Sequence, residues 1–255
     1  MDLFITIWLF ILGAVFGSFL ACMGYRIPNK IKTTYPSSFC SNCKKPLKWY
    51  MNVPIISYLY LGGKCYYCKQ KIGFIYFLCE VIGAVLFALN YILFKFDLNF
   101  FLATIMTCVL IVTMVSDFEY YYISDRVLII SGMLIILVSF IFMDYVSAFY
   151  RVLTGIIMFA VMYGIKILGN IMFKRESLGD GDIKLMGIIG LALGLMNSFV
   201  SLFFGALTGL IYSLFTLKKN KEGLIPFGPF LIIGSLIVIY LSKYITPYLE
   251  ELFSL

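Results

Sequence analysis

Eight long, apolar stretches with few charges run along the chain, at roughly 3–24, 74–94, 99–116, 127–143, 148–169, 183–197, 199–217 and 225–246. A bilayer core about 30 Å thick takes about 20 apolar residues in a helix. With no water at that depth, each backbone group must find its partner within the segment. The runs therefore predict an all-α polytopic membrane protein of about eight transmembrane helices, the sixth being the shortest. Composition excludes a soluble alternative: 62% of residues are hydrophobic and 13% charged, where soluble domains are roughly half apolar. The first run is too long and uniform for a secretory signal, and no small-residue cleavage site follows it.

Charge supplies the orientation. Between Tyr25 and Gly73 stand Arg26, Lys30, Lys32, Lys44, Lys45, Lys48, Lys64, Lys69 and Lys71, with no acid. Cationic loops stay in the cytoplasm. The N-terminus is then outside, and 117–126, 170–182 and 218–224 form the other cytoplasmic loops. These carry Arg126, Lys174, Arg175, Lys218, Lys219 and Lys221. The net charge of +7 is thus mainly a topology signal and implies no nucleic-acid partner. Histidine is absent, which removes the commonest general base and any imidazole metal site.

The basic loop contains two CxxC pairs, Cys40/Cys43 and Cys65/Cys68, separated by 21 residues. Four thiolates so spaced suit a structural Zn²⁺, closed to substrate because no coordination position is left over. Two disulfides or redox chemistry are the competing readings, and a cytosolic loop disfavours stable disulfides. Metal would supply folding energy to a segment with little core. Cys22, Cys79 and Cys108 lie within apolar runs and read as packing.

Two aspartates stand where apolar runs meet the cytoplasmic loops, Asp117 at the end of the third and Asp182 at the start of the sixth. Acids at such depth are costly and face protein or water. Residue types alone leave two readings open. Asp182 precedes "IKLMGII" and suits a helix N-cap, and Asp117 suits a hydrated interface. Alternatively the two form a catalytic pair, one carboxyl keeping its proton while the other acts as base. Gly179 and Gly181 then allow a sharp backbone turn beside Asp182.

Five ordered motifs carry a resemblance that covers nearly the whole chain. They are "GSFLACMGYRIP" (17–28), the CxxC pairs around "PLKWYMNVPIISYLYLGGKC", "DFEYYYISD" (117–125), "GDGDIKL" (179–185) and "IPFGPFL" (225–231). Together they resemble the prepilin peptidases, the type IV leader peptidase family of GxGD intramembrane aspartic proteases. Two positions depart from the family pattern: Ser124 replaces the usual Pro and Ala21 the usual Asn.

The resemblance implies that Asp117 and Asp182 are catalytic and that Asp180 and Asp125 are not the dyad. It implies removal of a short basic leader, after a Gly, from prepilins and pilin-like proteins at the cytoplasmic face of the bacterial inner membrane. Many members also N-methylate the new terminus with S-adenosylmethionine. Arg26, Asn52 and Glu80 match family positions, and Arg26 or a loop lysine is the expected partner of Glu80. The expected division is a first transmembrane helix (1–24), a cytoplasmic zinc-binding loop domain (25–73) and a helical membrane peptidase domain (74–255). The lipid bilayer is the implied environment. The alternative is a polytopic ion or proton-coupled transporter with a structural zinc loop, its aspartates relaying charge.

Overall fold

Each apolar run folds as a helix. The protein is known from a computed structural model, which describes residues 1–33, 35–174, 177–216 and 225–253, with side chains to residue 242. Arg175, Lys218, Lys219 and Lys221 of the expected cytoplasmic loops lie outside the described residues. The helices are α1 (Asp2–Arg26), α2 (Ile56–Tyr60), α3 (Phe74–Phe94), α4 (Leu98–Tyr120), α5 (Asp125–Phe142), α6 (Tyr145–Phe173), α7 (Asp180–Leu193), α8 (Leu195–Thr216) and α9 (Gly228–Phe253). Among the described residues there is no strand, only two isolated bridges, Phe39 to Pro46 and Lys64 to Lys71.

Among the described residues six helices, α1, α3, α4, α5, α6 and α8, are long and apolar enough to cross a membrane. The expected eight spans are thus approximate: α7 has 14 residues, and the described apolar part of α9 is Gly228–Ser242. Helices α7 and α8 are divided by Gly194 alone, inside the sixth run rather than after it, at φ +78°, a left-handed conformation that favours glycine. The lipid-length helices expose apolar side chains, as Phe4, Trp8 and Phe19 do on α1.

The chain divides into two compact units. One comprises Met1–Lys95 with Ile111–Tyr122, the other Phe96–Leu110 with Ile123–Leu255. In the first, α1 and α3 meet backbone to backbone. A Cβ on Gly13 would stand 2.2 Å from the Gly83 carbonyl oxygen, and one on Gly83 would stand 2.4 Å from that of Gly13. Small residues let membrane helices approach this closely, which gains dispersion contacts where lipid cancels the hydrophobic drive. Lys95 closes the far end of this pair on Asp2 at 2.9 Å.

In the second unit α7 is the buried helix: Leu185, Met186, Ile189 and Ala192 have no exposure. It packs on α6, where Thr154 Oγ1 donates to the Gly190 carbonyl at 2.9 Å. A Cβ on Gly190 would come within 2.9 Å of the Gly155 backbone, so this contact too is made at backbone distance.

Candidate active site and metal centre

The four loop cysteines come together. Their sulfurs all lie within 4.8 Å of one another, with Cys40 to Cys68 at 3.9 Å. Tetrahedral zinc with S–Zn bonds of about 2.3 Å places sulfurs about 3.8 Å apart, so the cluster has the right size for a metal. Each CxxC pair sits in the same tight hairpin. Cys40 N donates to the Lys45 carbonyl and Lys44 N to that of Cys40; Cys65 N donates to Gln70 and Lys69 N to Cys65. Lys44 and Lys69 turn the chain in the left-handed region at φ +58° and +59°. Neutral donors favour thiolate: the Gln70 backbone N–H, with Asn42 and the other cysteines beside it, pulls the Cys68 thiol down to about 6.

Arg26, buried at the end of α1, anchors the start of this loop. Its guanidinium donates to the carbonyls of Lys32, Thr33, Pro36 and Ser37 at 2.8–3.2 Å. It is therefore not the partner of Glu80. The Glu80 carboxylate instead accepts the Ile55 backbone N–H at 2.7 Å. Ile55 is turned to φ +64°, a position where a β-branched residue is strained. Arg26, Glu80 and the loop bound a cavity of about 660 Å³ inside the first unit. Phe39, Trp49 and Tyr76 form aromatic walls, Asn52 adds an amide, and Ala21 and Cys22 lie on the α1 side. Sequence reading missed this cavity. Its one available signal was Glu80, an acid inside an apolar run.

Asp117 and Asp182 are both buried, at 6% and 9% exposure, although each stands near a helix terminus. Helix α4 continues to Tyr120, which places Asp117 in its last full turn rather than at its end. The helix stops where Tyr121, at φ +50°, donates back to the Asp117 carbonyl. Asp182 is not an N-cap. Gly179 holds that place, so Asp182 is the third residue of α7. There its side chain lies in the first turn, where the helix dipole favours negative charge.

The other two candidate acids are exposed and paired. Asp180 takes Lys166 of α6, and Asp125 takes Lys184 of α7 at 2.7 Å. These pairs tie the start of α7 to α5 and α6. Sequence reading did not foresee these lysine partners.

Neither motif glycine has a left-handed φ, so backbone freedom is not why they are glycine. A Cβ on Gly181 would stand 2.7 Å from the Ile123 Cβ, and one on Gly179 would stand 3.1 Å from Asp182 Oδ2. Absence of a side chain is the requirement at Gly181, whereas at Gly179 the Asp182 carboxylate would have to give by a few tenths of an ångström.

A multi-pass helical protein with a metal-competent cysteine module and two buried acids at helix termini defines a class of membrane enzyme. Comparison with known proteins makes it specific. Residues 11–94 match the bacterial peptidase A24 N-terminal domain, and residues 104–214 match the type IV leader peptidase family. The prepilin leader peptidase/N-methyltransferase of Bacillus subtilis is 32% identical over 95% of this chain and 97% of its own length. That of Legionella pneumophila is 30% identical over 83% and 74%. The type 4 prepilin-like proteins leader peptide-processing enzyme of Escherichia coli O78:H11 is 27% identical over 90% and 91%. No solved structure matches. The chain belongs to the type IV leader peptidase family. The transporter alternative finds no support in these matches.

Proposed function

We propose that the protein is a membrane aspartic endopeptidase that removes the basic leader of prepilins and pilin-like proteins, with Asp117 and Asp182 as its catalytic pair. The observation that carries this reading is the coincidence of family and burial. The leader peptidase match at 104–214 contains both aspartates, and both are buried while Asp125 and Asp180 are exposed and ion-paired.

The chain has no histidine, and two carboxyls suffice for peptide hydrolysis. One, deprotonated, takes a proton from water as that water attacks the carbonyl; the other, protonated, donates to the carbonyl oxygen. Burial raises the cost of ionising both together. The scissile bond lies next to the substrate's apolar helix, so acids near the cytoplasmic ends of α4 and α7 meet it at its own depth. The site faces the cytoplasm of the bacterial inner membrane, supported by the acid-free basic loop at 25–73. Coexpression with a candidate prepilin, followed by gel shift for leader loss, tests the reading. A full-length substrate in every case refutes it.

The cysteine cluster holds one structural zinc through Cys40, Cys43, Cys65 and Cys68, supported by their mutual distances. Besides Cys65, the buried side chains among the described residues of the loop are Arg26 and Met51, so metal supplies much of its cohesion.

The protein also methylates the new N-terminal amine, the second activity named for the relatives in Bacillus subtilis and Legionella pneumophila. The size of the cavity of the first unit suits S-adenosylmethionine: it lies within the 300–1,000 Å³ common for small-ligand sites, and its wall mixes aromatic and apolar side chains with polar ones, among them Asn42, Asn52, Gln70 and Glu80, and with Cys40 and Cys65 of the cysteine cluster. When bound there, the cofactor supplies the methyl group. Phe39, Trp49 and Tyr76 would hold it, with Asn52 as its polar contact. Ala21, in place of the family's Asn, removes an amide from the α1 wall and leaves more room. Mass spectrometry of the processed N-terminus tests this second reading, and an unmethylated product from cells with ample donor would count against it.

A further inference from the structure

Glu80 is the one acid on the wall of a cavity whose lining also holds two cations, Arg26 and the exposed Lys71. It lies six residues into α3, about 9 Å along the axis from Phe74. A carboxylate at such depth is costly without compensation. Its contacts are neutral, the Ile55 N–H at 2.7 Å and the Ser18 hydroxyl. No ion pair among the described residues involves it. The nearby Arg26 is engaged by four carbonyls. With Arg26 turned to the loop carbonyls and Lys71 at the exposed rim, Glu80 is the negative charge beside the aromatic side chains, and both features favour a cation at that point of the wall.

We propose that Glu80 binds the N-terminal ammonium of the processed substrate and takes its proton. The proposal rests on the methyl-transfer reading of the cavity and assigns the amine its place in it. An ammonium has no lone pair and cannot accept a methyl group. Transfer of one proton from the ammonium nitrogen to a Glu80 carboxylate oxygen leaves a neutral amine with its lone pair free, and a neutral carboxyl. The Ile55 N–H fixes one oxygen of the carboxylate, which orients the other. The strained Ile55 backbone then has a purpose: it aims the donor at Glu80. The uncleaved chain has no terminal amine at this point, so only the product of the peptidase reaction qualifies as ligand.

Two tryptophans occur in the chain, and one, Trp49, lines the cavity. Full-length protein with Trp8→Phe, in lipid nanodiscs, therefore reports on the cavity by fluorescence alone. The ligands are one apolar decapeptide with a free N-terminus, the same peptide N-acetylated, an acetylated peptide carrying internal lysines, and S-adenosylhomocysteine.

At pH 7 the free-amine peptide is expected to bind at least about tenfold tighter than its acetylated form, the scale of one charge-assisted bond. The preference should fade as pH rises past about 8, where an α-amino group loses its proton. Glu80→Gln, which keeps an acceptor for the Ile55 N–H, should erase the preference, and Glu80→Asp should keep part of it. Gel filtration and thermal melting verify that each variant is folded.

Equal affinity for the two peptides, or a preference that survives Glu80→Gln, overturns the proposal. So does tighter binding of the lysine peptide, which would make Glu80 a leader contact. Loss of the S-adenosylhomocysteine response in Glu80→Gln with the peptide preference intact would assign Glu80 to the donor and also overturn it. Failure of the methyl-transfer reading has a different signature: no response to S-adenosylhomocysteine in any variant and no methylated product. The peptide comparison still decides Glu80 in that case.

Discussion

Replacing Gly181 by alanine adds one methyl group beside Asp182, and its consequence can be worked from the structure. The new Cβ would stand 2.7 Å from the Ile123 Cβ, with Ile123 Cγ1 and Cδ1 at 3.2 Å. Carbon pairs settle at about 3.5–4.0 Å, so about 0.8 Å of separation is needed. Ile123 cannot yield it by rotating, because Cβ does not move with χ1. The first turn of α7 must shift from the segment before α5, against the Lys184–Asp125 and Lys166–Asp180 pairs. Overpacking of this kind costs about 1–3 kcal/mol. Misplacing a catalytic group by about 1 Å costs about 100-fold in rate.

Gly181→Ala is therefore expected to lose about two orders of magnitude in leader cleavage while the protein still accumulates. Gly164→Ala, whose Cβ meets nothing within 4 Å, is the control for alanine itself. Initial cleavage rates with a purified prepilin in nanodiscs give the comparison. Adding Ile123→Ala should fail to restore full activity because the offending Cβ remains, whereas Ile123→Gly should recover much of it. A Gly181→Ala enzyme within twofold of wild type would refute the steric reasoning.

Asp117→Asn and Asp182→Asn should each abolish cleavage in the coexpression assay, while Asp180→Asn and Asp125→Asn, which lose exposed ion pairs, should retain measurable activity. A dead Asp180→Asn beside an active Asp182→Asn would move the pair by one turn position. Elemental analysis should find about one zinc per chain, the stoichiometry of a four-ligand site, and serine at Cys65 should lower both zinc content and thermal stability; stable protein without metal would contradict this. Cysteine-accessibility labelling should place 25–73 and 117–126 on the cytoplasmic side, and labelling of 117–126 from outside would invert the topology.

The helices were legible because apolar length is a one-dimensional property. α1 and α3 to α9 each coincide with an apolar run. Their ends were less so: α4 reaches Tyr120 and α6 Phe173, because helices continue into the interface with polar residues that a hydropathy pattern discounts. The cysteine module was readable since ligand spacing encodes its own geometry. The position of Asp182 within α7 was not, because Gly179, Asp180 and Asp182 all suit a helix start and only the backbone shows which one caps it. Glu80 shows a further limit. Its partner is a backbone N–H from Ile55, and no side-chain pattern encodes that pairing. Likewise, Gly181 depends on Ile123, a contact made only when the start of α7 meets the segment before α5.

Helix α7, at 14 residues, is about 21 Å long at 1.5 Å per residue, some 9 Å less than the hydrocarbon thickness of an ordinary bilayer. A buried helix this short cannot have both ends at the headgroups of an undeformed membrane. Protein rather than lipid surrounds it, so one of its ends stands below the headgroup level. Hydrolysis consumes water, and an enzyme working among acyl chains has to import it. On the proposed role of Asp182 in the first turn of α7, the shortness of that helix shortens the path water must travel to reach the acid.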